Sequence, residues 1–222
     1  MPKRALIEQR PWLLLSIAAA IGFFLLSEDA IGGLWLIAIK GAAVGLLAVY
    51  AGLRQGSGDA RLLALIMGLS AIGDMAIELD EQAGGMAFFL SHVAAMALYL
   101  RHRRANMTSS QKLFAAALLL LTPVISWLLV AGMEGAMQVA LYALALGGMA
   151  GLAWTSSFPR YRVGIGAVLF VVSDLLIFAR LGAKLPEDVT SWLIWPTYYL
   201  GQFLIATGVI QTLRHELREE FV

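Results

Sequence analysis

Cysteine is absent from this sequence, and charged residues are scarce. Without cysteine the chain can form neither disulfide bonds nor thiolate metal ligands. Only 14% of the residues are charged, whereas soluble domains carry about 25%. Hydrophobic residues make up 60%, against about 45–50% in soluble domains. These proportions indicate an integral membrane protein with a core of membrane-spanning helices, and the net charge of +1 gives no indication of a nucleic-acid partner.

The sequence also lacks the short motifs of several common enzyme sites. It has no Gly-x-Ser-x-Gly elbow, no His-Glu-x-x-His pair, no P-loop and no dinucleotide fingerprint. A metal site built from Asp74, His92 and Asp174 would have one histidine, two carboxylates and no spacing motif, so we predict no metal and no other cofactor. The simplest use of these side chains is acid–base hydrolysis without a covalent intermediate.

Eight segments are apolar and long enough, or nearly so, to cross a bilayer, which requires about 20 residues. The predicted spans lie at roughly 11–26, 31–52, 61–79, 85–100, 112–131, 135–156, 162–181 and 189–213. The breaks between them are short and polar, so consecutive spans should pack as antiparallel neighbours. We therefore predict an all-α fold, a polytopic bundle of eight transmembrane helices in a single domain over residues 1–222.

Lys and Arg fall mainly on one side of these spans, which predicts the orientation. With the N-terminus in the cytoplasm, 13 of the 16 basic residues lie inside: Lys3, Arg4, Arg10, Arg54, Arg61, Arg101, Arg103, Arg104, Lys112, Arg160, Arg162, Arg214 and Arg218. Both termini are then cytoplasmic, in a multi-pass protein of a bacterial inner membrane. The basic start resembles a signal peptide, but no small-x-small cleavage site follows, so we interpret the first run as a retained helix.

Two aspartates lie inside apolar spans, where a carboxylate is costly unless it is protonated, paired or hydrated. Asp74 lies in span 3 and Asp174 in span 7. At ~1.5 Å per residue, both are roughly 8–10 Å from the outer ends of their spans. Other polar residues are predicted from that level to the midplane of the membrane: Lys40, His92, Tyr198, Tyr199 and Gln202. We predict that these side chains surround one cavity and that the two aspartates share one site.

Each of these polar residues also has a purely structural interpretation. Lys40 could be only a counter-ion, and His92 could donate to a backbone carbonyl. Tyr198 and Tyr199 could fill a core, and Glu78, one turn beyond the first aspartate, could be solvated at the helix end. The aspartates favour function more strongly, because two acids close together in a low-dielectric pocket cannot both ionise easily. One of them can then act as an acid and the other as a base.

The sequence resembles the YhhN-type membrane proteins, a family whose animal members are lysoplasmalogenases. The matching motifs come in the family's order: Ser70-x-x-Gly73-Asp74; Phe88-Phe89-Leu90-Ser91-His92 followed by Tyr99; Gly166-Ala167-Val168-Leu169-Phe170-x-x-Ser173-Asp174; and Tyr198-Tyr199-Leu200-Gly201-Gln202-x-Leu204-Ile205. The family usually has Lys-Pro in the second span, where this chain has Lys40-Gly41.

This resemblance implies hydrolysis of the vinyl ether of a lysoplasmalogen, giving a fatty aldehyde and glycerophosphoethanolamine or glycerophosphocholine. It implies Asp74 and Asp174 as the catalytic pair, in an order that stays open. The substrate-binding residues would be Lys40, His92, Tyr198, Tyr199 and Gln202. The implied partners are a lysophospholipid and bilayer lipid, and the oligomeric state is unknown. A non-enzymatic carrier or lipid-binding protein with the same cavity is the alternative, which the lack of Gly/Pro-broken helices at corresponding places disfavours.

Overall fold

A computed structural model describes residues 10–27 and 33–220, with side chains to residue 216. In this part of the chain there are eight α-helices: α1 (Arg10–Leu26), α2 (Leu34–Arg54), α3 (Gly58–Ala76), α4 (Glu81–Arg101), α5 (Ser109–Leu129), α6 (Ala136–Thr155), α7 (Ile165–Leu181) and α8 (Glu187–Glu220). A π-helical turn, Arg160–Gly164, leads into α7. The all-α prediction is confirmed, and each predicted span coincides with one helix. Lys3, Arg4, residues 31–32 and the side chain of Arg218 lie outside the described residues.

Six of these helices are long and apolar enough to cross a membrane. They are α2, α4, α5, α6, α7 with its π turn, and α8. Helix α1 is shorter, at 17 residues, and α3 carries three charged residues, Asp59, Arg61 and Asp74. The chain is thus a multi-pass membrane protein, while the count of eight spans and the side on which the termini lie stay predictions.

Helix α5 shows the surface that a lipid environment requires. Leu120, Val124 and Leu128 are exposed along it, whereas Thr122 and Ser126 are buried. A soluble protein rarely leaves such a continuous apolar surface uncovered. The apolar side of α5 therefore faces lipid, and the hydroxyls in its second half, Thr122 and Ser126, face the protein.

Local sequence signals explain where several helices begin. The hydroxyl of Ser57 accepts a hydrogen bond from the Ala60 N–H at 3.1 Å and caps α3. Thr108 and Gln111 form a reciprocal capping box at the start of α5, which satisfies two backbone donors that the first helical turn leaves unpaired. Helix α6 follows Gly135, whose φ of 86° is a left-handed conformation that glycine adopts at little cost.

The described helices form two compact units. Unit 1 comprises α1, α2, α3, α4 up to Ala94, and α8 from Val209 onward. Its helices α2 and α3 are antiparallel neighbours, because three glycines of α2 face α3 in one register: Gly41 at Met75, Gly45 at Ala71 and Gly52 at Ala64. Such small residues let two helix backbones approach closely inside a membrane. The residue that follows α2 contacts α8, since Gln55 donates a hydrogen bond from its Nε2 to the carbonyl of Leu213 at 3.3 Å.

Unit 2 comprises Ala95–Gly208, with the end of α4, helices α5, α6 and α7, and most of α8. Helices α7 and α8 approach closely where Gly166 faces Gly201, since a Cβ on either glycine would lie 2.7 Å from the other's carbonyl oxygen. An apolar cluster of Val130, Ala143 and Phe178 joins α5, α6 and α7. These contacts set the rotation of α7 and so the direction in which its polar residues point.

Candidate functional site

Asp74 lies in the last turn of α3 and is 2% exposed. The predicted span placed it about five residues from the outer end, but α3 ends at Ala76. Helical hydrogen bonds continue beyond that point, from Ile77 N–H to the Gly73 carbonyl and from Asp80 N–H to the Ala76 carbonyl. Glu78 therefore lies four residues beyond Asp74, in the turn that follows α3.

The glycine before Asp74 is required by the packing of α4. A Cβ on Gly73 would lie 2.8 Å from a ring carbon of Phe88, so this ring occupies the space that any larger residue would need. One turn back, the hydroxyls of Ser70 and Ser91 lie 2.9 Å apart, and Ser91 also donates to the Ile66 carbonyl at 3.0 Å. The motif serines thus hold α3 and α4 together beside the carboxylate.

His92 is fully buried in the same unit, but at a different level along the helices. The contacts of Gly73 with Phe88 and of Ser70 with Ser91 set an antiparallel register. In this register His92 lies level with Leu69, five residues and so roughly 7.5 Å along α3 from Asp74. Within unit 1, His92 therefore lies further along the helices than Asp74.

Lys40 and Glu78 form an ion pair, with Nζ 2.5 Å from Oε1. The lysine side chain is 13% exposed and the glutamate 42%. The same ammonium lies over the ring of Phe23 on α1, 5.5 Å from its centroid. Glu78, which the sequence also allowed as a merely solvated residue, is instead the partner of Lys40. Gly41 makes room for this end of α3, because a Cβ there would lie 2.5 Å from Cγ of Met75.

Asp174 lies in the middle of α7, in unit 2, and is 5% exposed. The hydroxyl of Tyr142, on α6, donates a hydrogen bond to its Oδ2 at 2.7 Å. The Tyr142 ring stands edge-on to Phe178, one turn beyond the aspartate, with centroids 6.1 Å apart. Sequence reasoning did not single out Tyr142. The signal was a lone hydroxyl in the apolar run 139–146, the same kind of signal that drew attention to the aspartates.

Ser173 adds a second hydroxyl next to this carboxylate. It is fully buried, and within the described part of the chain its Oγ has no hydrogen-bond partner. Leaving a buried hydroxyl unpaired costs about 1–3 kcal/mol. The residue is therefore poorly explained by packing alone, and its hydroxyl can serve an oxygen or hydroxyl of a bound molecule near Asp174.

Tyr198 and Tyr199 of α8 belong to an aromatic cluster that contacts α7 about one turn before Asp174. Tyr198 meets Phe170 edge-on at 5.1 Å and accepts a hydrogen bond from Nε2 of Gln202 at 3.3 Å. Tyr199 stacks against Trp195 at 6.2 Å. Because Phe170 precedes Asp174 by one turn, Tyr198 lies about one turn from the level of the aspartate. Gln202, next to the close contact of Gly201 with Gly166, lies about two turns away.

The described residues contain no group of three or more His, Asp or Glu side chains that could hold a metal ion. That the protein works without a cofactor stays a prediction. The structure brings Lys40 to the end of α3 that carries Asp74, and it brings Tyr142 to Asp174. Because Asp74 belongs to unit 1 and Asp174 to unit 2, a site shared by the two aspartates also stays a prediction.

Comparison with known proteins gives one match. The family model described as the YhhN family matches residues 35–209, more than three quarters of the chain. The matched region runs from the start of α2 to the last third of α8 and contains every predicted site residue. No curated protein and no solved structure gives a significant match.

Proposed function

Because the chain belongs to the YhhN family, we propose that it is a membrane hydrolase that cleaves the vinyl ether bond of lysoplasmalogens. The products would be a fatty aldehyde and glycerophosphoethanolamine or glycerophosphocholine. The observation that carries the proposal is Asp174, a buried carboxylate on an apolar membrane helix with one oxygen held by the Tyr142 hydroxyl. A carboxylate kept at such cost and in one orientation is suited to proton transfer.

The chemistry needs one acid, one base and one water. A protonated aspartate gives its proton to the β-carbon of the vinyl ether, which leaves an oxocarbenium ion at the α-carbon. The ionised aspartate stabilises that cation and takes a proton from the water that attacks it. The resulting hemiacetal breaks its bond to the glycerol oxygen, which receives a proton as the aldehyde forms. One water is consumed, and no covalent enzyme intermediate is required.

Asp74 and Asp174 are our proposed acid–base pair, in either order. Asp74 supports the proposal because it is as deeply buried as Asp174 and because α3 carries it within one turn of the charged pair Lys40–Glu78. The other predicted residues would position the lipid or water rather than transfer protons. They are Lys40, His92, Tyr198, Tyr199 and Gln202. Bilayer lipid would surround the protein, which we propose lies in a bacterial inner membrane.

The test is aldehyde release from lysoplasmalogen by the purified protein in detergent or nanodiscs. Asp74→Asn and Asp174→Asn should each lower the rate by roughly 10²–10⁴-fold, the usual contribution of general acid–base catalysis. Glu134→Gln, which neutralises an exposed carboxylate in the α5–α6 connection, should leave the rate unchanged. No aldehyde from the wild-type protein, or full activity in both asparagine variants, would refute the mechanism.

The double variant tests whether the aspartates act as one unit. If they do, Asp74→Asn combined with Asp174→Asn should be scarcely slower than the slower single variant. Binding of lysolipid without aldehyde release would instead support a carrier. Helices α5 and α8 argue against that alternative, because each continues through its proline, Pro123 or Pro196, without a break. Transporters of many folds build their sites from interrupted helices.

A further inference from the structure

The charged pair Lys40–Glu78 is joined by an aromatic ring to form a small cluster at one end of unit 1. The Lys40 ammonium lies 2.5 Å from a Glu78 carboxylate oxygen and 5.5 Å from the centroid of Phe23. Three helices or their extensions contribute one group each, α1, α2 and the turn after α3. A carboxylate together with an aromatic face is the combination that recognises organic cations. The cluster is therefore a cation site that the protein's own ammonium fills.

We propose that Lys40, Glu78 and Phe23 form a subsite for a zwitterionic headgroup, a phosphodiester bearing an ammonium. The ligand ammonium takes the place of the lysine, between the Glu78 carboxylate and the Phe23 ring. The released Lys40 ammonium pairs with the phosphate. Glu78 thus exchanges the Lys40 ammonium for the ligand ammonium, and Lys40 exchanges the Glu78 carboxylate for the ligand phosphate. The identification of the full substrate rests on the proposed function, whereas the subsite itself does not.

The cluster lies where a headgroup belongs relative to Asp74. Glu78 follows Asp74 by four residues, in the turn after α3, and four residues correspond to roughly 6 Å at the rise of a helix. In a lysoplasmalogen the three-carbon glycerol backbone separates the vinyl ether from the phosphodiester. A lipid with its headgroup at Glu78 can therefore place its ether near Asp74, with the chain continuing along the apolar helices.

The exposure of the pair distinguishes a binding role from a purely structural one. The Glu78 side chain is 42% exposed, whereas the Lys40 side chain is 13% exposed. Glu78→Gln removes the charge at the exposed side of the pair and keeps an oxygen that can accept a hydrogen bond from Lys40, so the protein should stay folded, with a thermal transition lowered only slightly. The effect should appear in the binding of ligands that carry an ammonium.

Binding of non-hydrolysable lipids to the intact protein in nanodiscs tests the subsite. The probes are an alkyl-phosphocholine and an alkyl phosphate of the same chain length, measured by calorimetry. Glu78→Gln should weaken phosphocholine binding about tenfold, the effect of losing one charge–charge contact. It should not weaken alkyl phosphate binding, because Lys40 no longer has to leave a carboxylate to meet the phosphate. Lys40→Met should weaken both ligands, because both carry the phosphate. Phe23→Leu should weaken only phosphocholine, roughly threefold.

Glu81→Gln is the matched control, since Glu81 is an exposed carboxylate three residues further along the chain. It should change neither affinity, and Glu78→Asp, which keeps the charge, should retain most of the preference for phosphocholine. Equal losses of both ligands in Glu78→Gln, or the same loss in Glu81→Gln, would overturn the subsite. Because the readout is binding, absence of aldehyde release would refute the proposed hydrolysis and leave this result standing.

Discussion

The hydrogen bond from Tyr142 to Asp174 allows the sharpest test of the mechanism. Tyr142→Phe removes one hydroxyl and keeps the ring against Phe178. The lost contact is a 2.7 Å hydrogen bond to a buried carboxyl group, and a bond to a charged group contributes about 1.5–3 kcal/mol. If that contribution is used in the transition state, kcat should fall roughly 10–100-fold, since about 1.4 kcal/mol corresponds to a factor of ten.

The effects of Tyr142→Phe on kcat and on KM should be compared, because they distinguish a positioning role from substrate binding. We expect KM to change little, because Tyr142 contacts the aspartate and so acts as a positioning residue. The assay is the initial rate of aldehyde release over a range of lysoplasmalogen concentrations. Tyr161→Phe is the matched control, because it removes the hydroxyl of a tyrosine that is 80% exposed on the π-helical turn. Its kinetics should equal those of the wild-type protein.

A double-mutant cycle supplies the decisive outcome. If Tyr142 acts only through Asp174, adding Tyr142→Phe to Asp174→Asn should slow the enzyme no further. Independent, multiplying losses would show that the tyrosine has another role, and an unchanged kcat in the single variant would refute the positioning argument outright.

Two stability predictions rest on packing away from these carboxylates. Gly166→Ala should lower the thermal transition, by about 1–3 kcal/mol of unfolding free energy, because its Cβ would lie 2.7 Å from the Gly201 carbonyl oxygen. Gly68→Ala, where nothing lies within 4 Å, should be neutral or stabilising, and equal effects of the two would contradict the packing argument. Arg104→Ala should also lower the transition, because its side chain reaches the carbonyls of the α6–α7 connection at 3.2–3.5 Å. The exposed Arg103→Ala should not, and matching losses would show that side-chain charge alone matters there.

The helices themselves were predictable because their signals are local. Hydropathy over about 20 residues identifies a span, and capping residues such as Ser57 and Thr108 mark a beginning. The end of α3 was harder to predict from the sequence. The predicted span 61–79 continues beyond Ala76 through Ile77 and Leu79, but the described α-helix ends at Ala76 and a looser turn follows. Asp74 is consequently closer to the end of its helix than the hydropathy profile indicated.

Which side chains contact the polar residues could not be predicted, because it depends on how the helices pack against each other. The sequence identified Lys40, but its contact with Glu78 follows from the register in which Gly41 faces Met75. Likewise it identified Asp174 but not Tyr142, because nothing local to α6 shows which side of that helix faces α7. The predicted layer of polar residues also depended on helix ends and registers. The sequence placed His92 and Asp74 at nearly the same depth, whereas the α3–α4 register puts His92 roughly 7.5 Å along α3 from Asp74.

By itself, the sequence determined that this chain enters a membrane as a series of helices, because apolar content and length are properties of each segment alone. It also determined that two of those helices carry an aspartate inside an apolar span. Burying a carboxylate there costs free energy, which indicates a functional role. Only the tertiary structure decided that Tyr142 holds Asp174 and that Lys40 meets Glu78 under Phe23. The physical reason is that the rotation and register of neighbouring helices decide which side chains meet. Close contacts between residues that are far apart in the chain, such as Gly166 and Gly201, set that rotation and register.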